Sequence, residues 1–265
     1  MANATFDFSR ANACFLRGDY KTAFSMYLNA AVQAHDAEAA FNVAYMYYHG
    51  LFVPQSYSLA RRYYMAAQML DGGAAQFNLA LMYLRGQGGA ADYHEAARYM
   101  KISAANGCVN AQLYLGVAYT IGCMFDPQEI ECLSLIPYYR VVERDAQLLL
   151  AGDVMQLDDA RFEVLEPDEQ YATEMFAAAA AHKDTTYISE QVGAGQELLG
   201  HALIEGLGTT YDLEAGYKMM ERAVEENGSV GAAMFLRQNK EKAQIYGVDT
   251  EKGRVLLQET GDEEA

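Results

Sequence analysis

Cysteine is scarce in this chain, and what there is lacks pattern. Four cysteines in 265 residues, at 14, 108, 123 and 132, show no CxxC or other metal-ligand spacing. That argues against a zinc framework and for scattered free thiols in a reducing compartment. Long apolar runs are absent too. No stretch of 18 uninterrupted apolar residues occurs, so no membrane span is expected. The opening segment "MANATFDFSRANACFLRGDY" has no basic start leading into an apolar stretch, unlike a secretory signal, and a cytoplasmic location is expected. Basic charge is short: 19 Lys and Arg stand against 36 Asp and Glu, a net of −17. Phosphate backbones and anionic membranes are held by Lys and Arg, so neither nucleic acid nor a membrane surface is an expected partner. The imbalance lies in one half. Residues 1–122 hold 8 basic and 7 acidic residues, whereas residues 123–265 hold 11 and 29. A basic partner is therefore expected, if anywhere, toward the C-terminal half.

Catalytic signatures are missing as well. There is no GxSxG, no Walker glycine loop and no HExxH. "GAGQELLG" from Gly193 loosely imitates a dinucleotide fingerprint, but no strand precedes it. His35, His49, His94, His182 and His201 are isolated in sequence. The carboxylates between Asp153 and Glu169 lack the alternation and the turn glycine of a calcium loop. No catalytic residue, metal or cofactor is expected.

What the sequence does contain is repetition. Residues 41–50 read "FNVAYMYYHG", 77–86 read "FNLALMYLRG" and 113–122 read "LYLGVAYTIG". Each begins 36 residues after the last, a period typical of stacked repeat units. Aligned at that period, Val43, Leu79 and Leu115 share a column, as do Ala44, Ala80 and Gly116. Tyr47, Tyr83 and Tyr119 form a third, and Gly50, Gly86 and Gly122 a fourth. "GQELLGHALIEGLG" at 195–208 returns Leu199, Gly200 and Gly206 to the same columns. The i, i+1, i+4 spacing within each phrase predicts one stripe of a helix, and the closing glycine its left-handed end. A short loop follows, then a second helix in which Ala60 matches Ala96 and Tyr63 matches Tyr99. Such a pair cannot bury its own apolar face, so neighbouring pairs must stack.

The pattern A-x-x-x-L-G-x-x-Y-x-x-G-x-G, with a following Asp, alanines and an aromatic, resembles the Sel-one-like repeat (SLR) family, 36-residue relatives of the tetratricopeptide repeat. The resemblance implies an all-α fold, a right-handed α/α superhelix (solenoid) of about seven stacked helix-turn-helix repeats in a single domain over 1–265. Its clearest repeats are expected at 37–72, 73–108, 109–136 and 194–228. Residues 5–36 read as an N-terminal pair and 229–260 as a degenerate final pair, with a polar tail at 259–265. The middle departs from the period. From Gly122 to Gly206 runs 84 residues, which reads as two repeats plus an extra loop. Asp126-Pro127 and Pro137 read as helix starts, 152–170 as an irregular acidic insertion, and 183–195 as a second connector. Asp168, Ala172 and the alanines 177–181 restore the second-helix pattern.

The resemblance further implies that first helices line a concave face. Positions between the packing columns are then the candidate partner-binding set: Asn42, Tyr45, Tyr48 and His49; Asn78, Leu81, Leu84 and Arg85; Tyr114, Val117 and Thr120; His201 and Glu205. Tyrosine offers large contact area and a hydroxyl at small entropic cost. The expected role is a non-enzymatic scaffold or adaptor holding a peptide or protein in that groove. Alternatives are a groove filled by the chain itself or a second copy, a structural homo-oligomer, and an SLR-type enzyme or cell-wall and β-lactam binder. Against the last, the columns that carry cysteine pairs in that type hold Ala, Gly or Leu here.

Overall fold

A computed structural model describes residues 8–122, 167–183 and 188–260, apart from the side chains at 71 and 121. The helix starts expected at Asp126 and Pro137, Cys123, Cys132, most of the acidic stretch and the last five residues lie outside the described residues. The described residues form thirteen α-helices and no strand. They fall into two compact units, Met1–Cys108 and Val109–Ala265.

The first unit holds three helix pairs: α1 (Phe8–Leu16) with α2 (Tyr20–Gln33), α3 (Ala37–His49) with α4 (Tyr57–Ala66), and α5 (Ala74–Leu84) with α6 (Tyr93–Ala105). The helices start where the sequence supplies a cap. The side chains of Asp19, Asp36, Ser56 and Asp92 each accept a backbone N–H three residues on, satisfying a donor the helix itself cannot. They stop where glycine permits a left-handed turn, as at Gly50 (φ 69°) and Gly86 (φ 62°). Between these limits the expected columns are core. Val43, Ala44, Leu79, Ala80, Ala60 and Ala96 are fully buried. Small side chains let the partner helix approach closely, and the tyrosines fill the space beside them. Tyr47 stacks on Tyr63 at 5.8 Å and Tyr83 on Tyr99 at 5.5 Å. A further buried column, Met46 and Met82, escaped the sequence reading because flanking tyrosines made that side look open.

The second unit pairs α7 (Val109–Ile121) with α8 (Glu169–Ala180), and α9 (Ser189–Glu205) with α10 (Leu213–Asn227). A final pair, α11 (Val230–Gln238) and α13 (Glu251–Thr260), is joined through the short α12 (Lys240–Ile245). One hydrogen bond recurs in every regular hairpin of both units. The N–H of the second helix's cap donates to the carbonyl of the tyrosine-column residue: Ser56 to Tyr47 (2.9 Å), Asp92 to Tyr83 (3.0 Å), Asp168 to Tyr119 (3.1 Å) and Asp212 to Leu203 (2.9 Å). Glycine and cap are six residues apart at Gly50–Ser56, Gly86–Asp92 and Gly206–Asp212, but 46 apart at Gly122–Asp168. The α7–α8 pair is thus closed by the same bond, although its glycine and cap lie forty residues further apart in sequence.

Among the described residues of the stretch from Gly122 to Gly206, α8 packs against α7 and against α9. From cap to next glycine runs 30 residues at Ser56–Gly86 and at Asp92–Gly122, but 38 at Asp168–Gly206.

Candidate functional site

In the first unit all the predicted first-helix positions but Leu84 stay accessible. Tyr45 and His49 are exposed, and Asn42, Tyr48, Asn78, Leu81 and Arg85 are half-buried. The aromatic positions are held rather than loose. The Tyr45 ring lies 4.2 Å from His49 and meets Phe15 of α1 edge-on at 6.0 Å. Tyr48 donates its hydroxyl to Gln87 in the following repeat's loop at 3.0 Å, and packs edge-on against Tyr57. Asn42 donates back to the Glu38 carbonyl at 3.1 Å. A rigid aromatic side chain loses little entropy on contact.

Three predicted positions are not accessible. Leu84 is 5% exposed, Tyr114 0% and His201 1%. Leu84 ends an uncharged helix, AAQFNLALMYL, and packs as core at the position where Tyr48 keeps its hydroxyl outward. Tyr114 lies on α7, whose sequence VNAQLYLGVAYTI has no charged side chain. Ala111, Gln112, Leu113, Leu115 and Ala118 are buried beside it, as suits a helix with no charged face. His201 is covered by the final pair: Phe235 of α11 meets its ring edge-on at 4.8 Å. Val117 is half-buried against the Leu113–Phe176 cluster, and Thr120 donates to the Gly116 carbonyl at 2.9 Å. Glu205, one turn beyond His201, stays exposed.

The fourth repeat carries a buried polar group that the sequence reading passed over. Glu197 sits in the column of Phe41, Phe77 and Leu113, yet is only 7% exposed. Ser229, the cap of α11, donates its hydroxyl to Glu197 Oε2 at 2.7 Å, while Oε1 accepts no hydrogen bond. A Cβ on Gly231 would lie 2.4 Å from Oε1, so any larger residue there would displace the carboxylate. Burial raises the Glu197 pKa, against the lowering effect of Ser229 and the Ala232 N–H. Burial also pushes His201 down to about 4. The signal was legible in principle: a carboxylate in an otherwise apolar column calls for a local partner. Among the described residues no cluster of His, Cys, Asp and Glu has metal-binding geometry, and no helix is long and apolar enough to cross a membrane.

Helix pairs at a 36-residue period, a small-residue column, a left-handed glycine and a capped second helix define one repeat type. The Sel1 repeat pattern matches residues 37–67, 73–108, 144–184 and 193–228, more than half of the chain. The chain belongs to the Sel1 repeat family. Members commonly serve as protein-interaction scaffolds and are generally non-enzymatic. The match at 73–108 spans α5 and α6, and that at 193–228 covers most of α9 and all of α10. The match at 144–184 shares α8 but takes its first half from the residues just before it, whereas the structure pairs α8 with α7. A crystal structure of a Sel1 repeat protein from Oxalobacter formigenes superposes with a TM-score of 0.67 at 17% identity, covering 97% of this chain and 85% of that one. Over 51 residues the chain is 57% identical to Protein sel-1 homolog 2 of Rattus norvegicus and 55% identical to that of Homo sapiens. Those segments are 19% of this chain and only 7% of either relative's length.

Proposed function

We propose that the protein is a non-enzymatic scaffold that holds an extended peptide segment of a partner protein against the first-helix face of its first unit. The observation that carries this reading is the contrast between columns on α3 and α5. The Val43–Leu79 and Ala44–Ala80 columns are sealed, while Asn42, Tyr45, His49, Asn78, Leu81 and Arg85 recur between the packing columns and stay accessible. The asparagines offer backbone-reading amides, and Tyr45, His49 and Leu81 offer apolar area. Two of the second unit's equivalent positions, Tyr114 and His201, are core.

The test is selection of displayed random peptides on the intact protein and on a Tyr45→Ala, Asn78→Ala, Leu81→Ala variant. Peptides enriched on the wild type should lose at least tenfold in affinity for the variant, with helicity by circular dichroism unchanged. Equal binding to both proteins would remove the groove assignment.

A further inference from the structure

The leucine column of the first helices is sealed three times and open once. Val43, Leu79 and Leu115 are each 0% exposed, but Leu199 of α9 is half-buried. It is accessible because a cavity of about 470 Å³ opens between the C-terminal ends of α8 and α10, on the second-helix side of the second unit. Sequence explains the opening. Where α4 and α6 carry Tyr63 and Tyr99, α10 carries Met219, so no tyrosine stack closes the space. On the opposite wall α8 offers only Ala177, Ala180 and Ala181. The passage from α8 to α9, lengthened at this junction, adds His182 and Lys183 at the rim.

The rim is cationic in the acidic half of the chain. Lys183 and Arg222 stand there with Glu226, the one carboxylate among the described lining residues. Arg222 spans to Glu226 through Nε and Nη2 at 3.2 and 3.1 Å, and both side chains remain 50% exposed. An ion pair that open is weak and leaves the guanidinium able to take a second acceptor. Gln196 holds Glu226 from below, donating to Oε2 at 3.0 Å, and Asn227 donates to the Gln196 side-chain Oε1 at 2.9 Å. Among the described lining residues two cations stand against one carboxylate that Gln196 holds in place. The floor of Leu199, Met219 and alanines is apolar, and the volume lies in the range of small-molecule sites.

We infer that this cavity binds a small amphipathic carboxylate, its apolar body on Leu199, Met219 and the α8 alanines and its carboxylate between Lys183 and Arg222. The site lies on second helices and is independent of the peptide face on α3 and α5.

The probe is octanoate, titrated into the full chain labelled at methionine methyls, with octylamine and inorganic phosphate as controls. Octanoate should shift the Met219 methyl saturably at one site, while Met46 and Met82 in the first unit stay still. Octylamine should bind at least tenfold more weakly, and phosphate should not displace octanoate at equal concentration. A Lys183→Ala, Arg222→Ala variant should weaken octanoate at least tenfold, and Ala181→Leu, at an exposed position, should remove binding by filling the space. Unchanged circular dichroism in both variants separates loss of binding from loss of fold. Equal binding of octylamine, displacement by phosphate, undiminished binding in the charge variant, or no Met219 shift at millimolar octanoate would each overturn the assignment. The Tyr45, Asn78, Leu81 variant should bind octanoate as the wild type does, so either proposal can fail alone.

Discussion

The two units use one hairpin design and fill it in opposite ways. In the first, α3 and α5 keep strict period, the tyrosine columns stack in pairs, and the interspersed first-helix positions other than Leu84 remain open. In the second, first helices are sunk among their neighbours, glycine replaces alanine in the close-approach column, and buried polar groups occupy apolar columns. What survives both is the backbone: the cap N–H of the second helix donating to the same carbonyl, at 2.9 to 3.1 Å in four hairpins. The architecture is therefore set by main-chain closure and cap chemistry. The side-chain columns are free to become a binding face in one unit and core in the other.

Glycine at 116 gives the sharpest test of that contrast. A Cβ there would stand 2.3 Å from the Phe176 ring, so Gly116→Leu drives a side chain into α8. Overpacking of this kind costs about 3 kcal/mol. Urea denaturation followed at the Met220 methyl should show the loss in the second unit, with Phe176→Ala in the same chain restoring part of it. At the matching position of the first unit, Ala80→Gly should cost only about 1 kcal/mol, mostly helix propensity. A Gly116→Leu protein as stable as wild type would mean that α7 and α8 are not packed as described.

The next effect concerns pH and belongs to the second unit alone. His201 is neutral when folded until about pH 4, but protonates near 6.5 when unfolded. Above pH 6.5 both states are neutral and nothing is lost. As pH falls from 6.5 toward 4 the unfolded state takes up the proton first, and folding loses about 3 kcal/mol by the time pH 4 is reached. Glu197 works in the other direction. Its folded pKa is raised, so its destabilising effect grows as pH rises above the ordinary carboxylate range. The two slopes oppose each other in wild type. His201→Gln should uncover a unit that weakens with rising pH, and Glu197→Gln one that weakens with falling pH, both read at Met220. Parallel slopes in the two variants would refute the assignment of either group.

Much of this was written in the sequence, and the reasons for the rest are physical. Period and small-residue spacing placed α3 to α6 and the glycine turns, because those features act locally. They could not say which of two upstream segments pairs with α8. Asp168 closes a hairpin on Tyr119 across 46 residues from Gly122, and loop closure grows costlier only slowly with length. The candidate site was half legible for a related reason. Column position tells which way a side chain leaves its own helix, but not whether another helix covers it. Asn42 and Tyr45 remained open, while α11 came down over His201 and the uncharged α7 took Tyr114 inside. Glu197 shows the same limit: its place in the Phe41 column was visible, and its Ser229 partner, 32 residues away, was not.

The smallest effect tests what the units share. Asp92 and Asp168 cap α6 and α8 in the same manner, accepting the N–H of Glu95 at 3.0 Å and of Tyr171 at 2.9 Å. One hairpin has six residues from glycine to cap and the other 46. If the cap acts only on its own helix, replacing either aspartate by alanine should cost the same, about 1 kcal/mol. Met82 reports the first substitution and Met220 the second, in a common urea titration. If the aspartate instead fixes where the chain re-enters the repeat, Asp168→Ala should cost well over twice as much as Asp92→Ala, and Asp168→Asn should recover most of the loss. Equal costs would show that closure of the α7–α8 pair does not depend on the forty further residues between its glycine and cap.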